Sequence, residues 1–131
     1  MTSVVELMSN MKITCVPDKT FETLLNTLVD LDKAGLGIHC LTAIKQMSLM
    51  RKFTAKQGSD LLSTLEKISP FDKLECAIVL YPALMMDDSF LMILDCFDND
   101  IDKQNILHRL GLQKLKNGTL KQVRKPIETN K

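Results

Sequence analysis

The residues of this chain with the means to do chemistry are few: two histidines, four cysteines, a carboxylate run at Asp98–Asp102 and a basic C-terminal stretch. Nucleophilic catalysis needs an activated group, a base and a residue to orient that base. His39 beside Cys40 does not make such a pair, because neighbouring helix residues project about 100° apart. No Gly-x-Ser-x-Gly occurs, and Gly35, Gly37, Gly58, Gly111 and Gly118 form neither a phosphate loop nor GxGxxG. Cys15, Cys40, Cys76 and Cys96 stand 25, 36 and 20 residues apart with no CxxC, and His39 and His108 add no zinc-ligand spacing. Asp98-Asn99-Asp100-Ile101-Asp102 opens like a calcium loop. Lys103 then stands where that loop needs glycine, and Arg109 where it needs a bidentate glutamate. An acidic helix start accounts for the run better. The chain is therefore expected not to be an enzyme and to hold no metal and no cofactor.

What remains is binding. Met is flexible and fills cores, but clustered Met on a surface suits an adaptable partner groove. Met85-Met86, just after Pro82, is the best candidate for an exposed apolar patch. Tyr81, Met85, Met86 and Phe90 are accordingly the candidate partner-binding residues. A second set, Lys114, Lys116, Lys121, Arg124 and Lys125, is suited to an anionic partner, although the tail has no aromatic ring for base stacking.

Composition bounds these readings. A chain of 131 residues is expected to be one domain with a sizeable core. Leu, Ile and Met dominate its apolar residues, Trp is absent and only one Tyr occurs, which favours helices over strands. Residues 1–112 carry 11 Lys and Arg against 15 Asp and Glu, and residues 113–131 carry 6 against 1. The body is mildly acidic and the tail basic. No apolar run is long enough for a membrane span, and MTSVVELMSNMK lacks the basic and apolar regions of a secretory signal. An intracellular location, cytoplasmic or nuclear, is expected, with the thiols reduced.

The elements that must position the candidate residues read as helices. Residues 1–17 form an N-terminal extension in which Val4, Met8 and Met11 suit a short amphipathic helix. Asp18 is placed to cap a helix carrying Phe21, Leu24, Leu25, Leu28 and Leu31 on one face. A second helix is expected from about Asp32-Lys33, with Leu36, Cys40, Leu41, Ile44 and Met47. Thr54 and Gln57 form a capping-box pair before Leu61, Leu62, Leu65 and Ile68, and Ser69-Pro70 ends that helix. Residues 71–84 form a fourth, with Leu74, Ala77, Ile78 and Tyr81 on one face and Pro82 to kink or end it. Asp87 or Asp88 caps a fifth, with Phe90, Leu91, Ile93, Leu94 and Phe97. The sixth starts near Asp100, holds Ile106, Leu107 and Leu110, and ends at Gly111. Residues 113–131 read as mostly disordered, with Asn117-Gly118 as a turn signal.

Three Asp-Lys steps, Asp32-Lys33, Asp72-Lys73 and Asp102-Lys103, carry similar flanks. Phe21, Leu61 and Phe90 lie upstream, and Leu36, Cys76 and Ile106 downstream. This predicts an all-α domain over residues 18–112, about six helices arranged as three stacked helix-turn-helix units, either a short right-handed superhelix or a compact bundle. Each Asp is expected to serve a helix start, and each Lys to lay its stem over apolar neighbours.

Residues 53–112 carry a recognisable set: Phe53, Thr54, Gln57, Leu61 and Leu62, then Phe71-Asp72-Lys73-Leu74, Tyr81-Pro82, Asp87, Phe90, Leu94, Phe97 and Lys103. In these positions the chain resembles a family of small all-helical domains of unknown function, shared by many bacterial proteins and the N-terminal region of eukaryotic proline and serine-rich proteins. It departs in a shortened Phe-Asp-x-Asp-Lys step and in lacking their long proline- and serine-rich tail. The resemblance implies a helical interaction module with no established catalytic residues. The expected function is a non-catalytic protein–protein interaction module, adaptor or scaffold-like, whose partner is another protein. The alternative is nucleic-acid or anionic-surface binding through the basic tail.

Overall fold

The computed structural model describes residues 15–85 and 88–127. The fold is all-α apart from one short hairpin. The described residues form six helices, α1 (Asp18–Lys33), α2 (Cys40–Met50), α3 (Ala55–Ile68), α4 (Lys73–Ala83), α5 (Phe90–Leu94) and α6 (Asp100–Leu110). Single 3-10 turns at Gly37–His39 and Pro70–Asp72 lead into α2 and α4. Helices α1, α3 and α5 touch in that order, as do α2, α4 and α6, and α1 packs on α2 and α3 on α4. The result is two layers of helices, with the core between them. In the second layer one spacing recurs in the buried residues: Cys40, Leu41 and Ile44, then Cys76, Ala77 and Leu80, then Ile106, Leu107 and Leu110.

The first Asp-Lys step does not open a helix. Asp32-Lys33 closes α1 instead. Gly35, at φ +75°, returns its N–H to the Asp32 carbonyl, and Leu36 N–H reaches the Leu31 carbonyl at 2.7 Å. That is a Schellman ending, and a left-handed residue there favours glycine. Leu36 is left exposed, and α2 begins a full turn later, at Cys40. The other two steps lie at helix starts, although neither Asp is the cap residue with a bond of its own to the helix backbone. Asp72 accepts the Ser69 hydroxyl at 2.7 Å, and Asn99 caps α6 by accepting Asp102 N–H at 2.7 Å. Pro17, not Asp18, is the residue before α1. The face of α4 is also rotated from expectation: Cys76, Ala77, Leu80 and Ala83 are buried, while Leu74, Ile78 and Tyr81 are half-buried.

The capping box of α3 is formed as expected: Gln57 N–H to Thr54 Oγ1 and Thr54 N–H to Gln57 Oε1, both 3.0 Å. Gln57 also donates its amide to the Val16 carbonyl at 2.8 Å. This is why a buried glutamine is tolerated, its polar atoms being matched to main-chain groups. The expected short helix of residues 1–17 falls mostly on residues 1–14, outside the described residues. Cys15 and Val16 are extended: Cys15 bridges to Lys52, and Val16 is part of the core.

The C-terminal segment corrects the expectation of a mostly disordered tail. Strands β1 (Leu112–Lys114) and β2 (Leu120–Gln122) pair antiparallel, with Leu112 opposite Gln122 and Lys114 opposite Leu120. Asn117 Oδ1 accepts both the N–H and the hydroxyl of Thr119 in the connecting turn. The hairpin is held by α6. Gln122 Nε2 donates to the Leu110 carbonyl at 2.6 Å, and Val123 N–H to that of Gly111 at 2.8 Å. These bonds satisfy carbonyls that a helix end leaves unpaired. Gly111, at φ +70°, is required twice, for the turn and because a Cβ there would run into the Arg124 carbonyl. Apolar residues were too sparse in this stretch to read as strands, yet Leu112 and Leu120 flank an Asn-Gly turn, which is the hairpin signal.

Candidate binding cleft

Tyr81 stands in the last turn of α4, beside Pro82. The Pro82 carbonyl accepts Lys52 Nζ at 2.7 Å. Beyond Ala83 the chain runs extended. Leu84 bridges to Phe53, Phe53 N–H donates to the Ala83 carbonyl, and Met85 N–H donates to the Phe53 carbonyl, each at 2.8 Å. These bonds fix the main chain of Met85 beside the link that precedes α3. Met86 and Asp87, a candidate partner residue and a candidate cap, lie outside the described residues. Asp88 does not cap α5. Its carboxylate accepts Ala55 N–H at 2.7 Å, serving the start of α3 from across the chain. Ser89 caps α5, its hydroxyl accepting Leu91 N–H at 3.2 Å.

Phe90 and Tyr81 meet edge to face with ring centres 5.1 Å apart. Phe90 is buried, so it shapes the site from beneath, whereas Tyr81 and Met85 are half-buried and reachable. The Tyr81 hydroxyl donates to Gln122 Oε1 at 3.1 Å, which ties the hairpin to α4. Together these elements enclose a cleft of about 460 Å³. Tyr81, Leu84, Met85, Asp88, Ser89, Phe90 and Leu91 line it from the helical body, and Thr119 and Leu120 from the hairpin. Three of the four candidate residues thus share one cleft. Its hairpin wall escaped sequence reasoning because nothing local says that residue 120 folds back onto residue 81.

The basic set lies on the hairpin and the segment after it. Lys114, Lys116, Lys121 and Lys125 are exposed. Arg124 is used by the fold, since its guanidinium bonds the His108 carbonyl and the Lys125 carbonyl at the end of α6. It is the member of the set committed to holding the chain together.

Among the described residues the two histidines stand apart. His39 and His108 are both exposed, one before α2 and one near the end of α6. No group of three His, Cys, Asp or Glu suited to a metal occurs among the described residues. Asp102 accepts the Asn99 side-chain amide at 2.9 Å, so part of the acidic run serves the start of α6. Lys73 lies across the α5–α6 turn, 3.4 Å from Glu66, on the Cys96 carbonyl at 2.5 Å and 4.7 Å from the centre of the Phe97 ring. Its stem and charge are used to hold two turns together.

All four cysteines are free thiols. Burial pushes the Cys76 thiol from 9.0 to about 12, and Asp72 adds to the rise. Cys40 is raised too, by burial first and then by Asp32 and Asp72. A buried, protonated thiol is a poor nucleophile. In the native protein Cys76 should resist iodoacetamide at pH 8 and label only after denaturation, as read by peptide mass spectrometry. The linkage has a definite sign. The folded state holds this proton more tightly than the unfolded one, so the contribution is whole below pH 9 and is lost as pH rises toward about 12. Rapid native labelling of Cys76 would refute its burial.

No helix among the described residues is long and apolar enough to cross a membrane. No family model, no curated protein and no solved structure matches the chain.

Proposed function

We propose that this protein is a non-catalytic interaction module, a two-layered helical domain that binds another protein through the cleft between α4, α5 and the C-terminal hairpin. The observation that carries this is the cleft's mixed lining: half-buried Tyr81 and Met85 beside Leu84, Leu91 and Leu120, with Asp88, Ser89 and Thr119 as polar groups, braced by main-chain bonds to Phe53. Apolar clefts with a few oriented polar groups are where partner side chains gain most from burial. The resemblance of residues 53–112 to a family of small helical domains of unknown function implies an interaction module too, with the partner met inside the cell. The alternative, binding of nucleic acid or an anionic surface by Lys114, Lys116, Lys121, Arg124 and Lys125, is weakened by the use of Arg124 in closing α6.

Met85→Asp tests the proposal. The Met85 N–H bond to Phe53 does not depend on its side chain, so the fold should survive. A charge in the cleft should cost binding about 2 kcal/mol or more, roughly thirtyfold. Pulldowns from native extract, quantified against wild type, should lose their specific partner while the circular dichroism spectrum is unchanged. Retention of that partner at wild-type levels would place binding elsewhere.

A further inference from the structure

The hairpin that walls the cleft is also the most basic part of the chain. From Leu112 to Ile127 it carries Lys114, Lys116, Lys121, Arg124 and Lys125 and no Asp or Glu. None of its four lysines is ion-paired with a described carboxylate. Lys114 sits opposite Leu120 in the strand register, so both side chains lie on one face of the hairpin, and Leu120 lines the cleft. Lys116 follows in the turn. Lys114 therefore lies on the same face of the hairpin as Leu120, next to the cleft wall. The helical side is different: it carries Asp88, whose carboxylate already accepts Ala55 N–H.

We propose that the cleft takes an acidic amphipathic segment of a partner protein. An aliphatic or aromatic side chain enters between Tyr81, Met85 and Leu120, and flanking Asp or Glu residues meet Lys114 and Lys116. This rests on the interaction reading above and adds the chemistry of the partner to it. Charge complementarity of this kind sets orientation and rejects wrong partners. A nucleic acid suits the site less well. The cleft is walled by Leu84, Leu91 and Leu120, Phe90 is buried, and the hairpin offers no aromatic ring for base stacking.

The test is selection of a displayed library of random short peptides on the full chain, followed by binding of the selected peptides to variants. Selected sequences should share a Leu, Met or Phe flanked by Asp and Glu. Their affinity should fall about tenfold in the Lys114→Glu/Lys116→Glu double variant, and should weaken as salt rises. Met85→Asp should remove it. Both lysines are exposed, so the double variant should keep the wild-type circular dichroism spectrum. Selected peptides without acidic bias, or acidic peptides that ignore the lysine reversal but need Met85, would overturn the acidic partner and leave the interaction module standing. Acidic peptides that ignore Met85→Asp would show attraction to the hairpin alone and overturn the proposal. So would a single-stranded oligonucleotide that binds tighter than any selected peptide. Selection of no peptide at all would overturn it too, while Met85-dependent capture from extract would still uphold the interaction reading.

Discussion

Phe53→Ala should destabilise the protein by about 3–5 kcal/mol, the cost of emptying a fully buried aromatic site. Phe53 is 0% exposed and belongs to the short link between α2 and α3. Its ring meets Phe21 of α1 edge to face, with centres 6.3 Å apart. Its main chain joins Ala83 and Met85 at the far end of α4. One residue thus ties the first helix, the link to the third and the chain beside the cleft. Removing the ring leaves a void that three separate segments must close, and packed interiors relax only partly. Since single domains are stable by only about 5–15 kcal/mol, the loss would take a large share of the total. Urea unfolding should show the midpoint fall at nearly constant slope. Phe53→Leu, which keeps most of the volume, should cost about 1.5 kcal/mol or less. If Phe53→Ala unfolded within about 1 kcal/mol of wild type, the ring would not be the joint between these segments.

Ending the chain at Gly111 should cost about 3 kcal/mol and abolish partner binding. Leu112 is buried and Leu120 half-buried, and both lose their contacts with the helical body. The carbonyls of Leu110 and Gly111 lose the Gln122 amide, although water can replace part of that. For a chain of this size the change is a fall in Tm of roughly 10 °C, read by thermal denaturation. The cleft also loses Thr119 and Leu120, one of its walls. Reversing the charge of Lys114 and Lys116, by contrast, should move stability by less than about 0.5 kcal/mol, because both are exposed. The contrast separates the hairpin as a structural part from the hairpin as a charge. A truncated chain as stable as wild type would mean that these contacts add nothing to the fold.

The candidate cleft was half legible. Tyr81, Met85 and Phe90 were identifiable because a proline ends a helix and an apolar cluster follows it. That the hairpin bearing the basic residues forms a wall of this cleft was not, because it reaches α4 through the Tyr81–Gln122 bond, a contact 41 positions apart in the chain. The Asp-Lys steps illustrate the same limit. Identical dipeptides close α1 at Asp32-Lys33 and sit in the 3-10 turn and first turn of α4 at Asp72-Lys73. Asp and Lys are compatible with either end, and the left-handed Gly35 decided the first case.

By itself the sequence determined the all-α class, the six helices of the described residues, the Thr54–Gln57 cap and the glycine stop at Gly111. Each depends on residues within a turn or two of one another, where 3.6-residue periodicity and capping chemistry act directly. The tertiary structure alone decided which face of α4 is buried, that Asp88 serves α3 instead of α5, and that a lysine-rich tail becomes the wall of a cleft. Those outcomes depend on which distant groups can satisfy a buried carbonyl or N–H and fill a gap in the packing, and no local pattern encodes that.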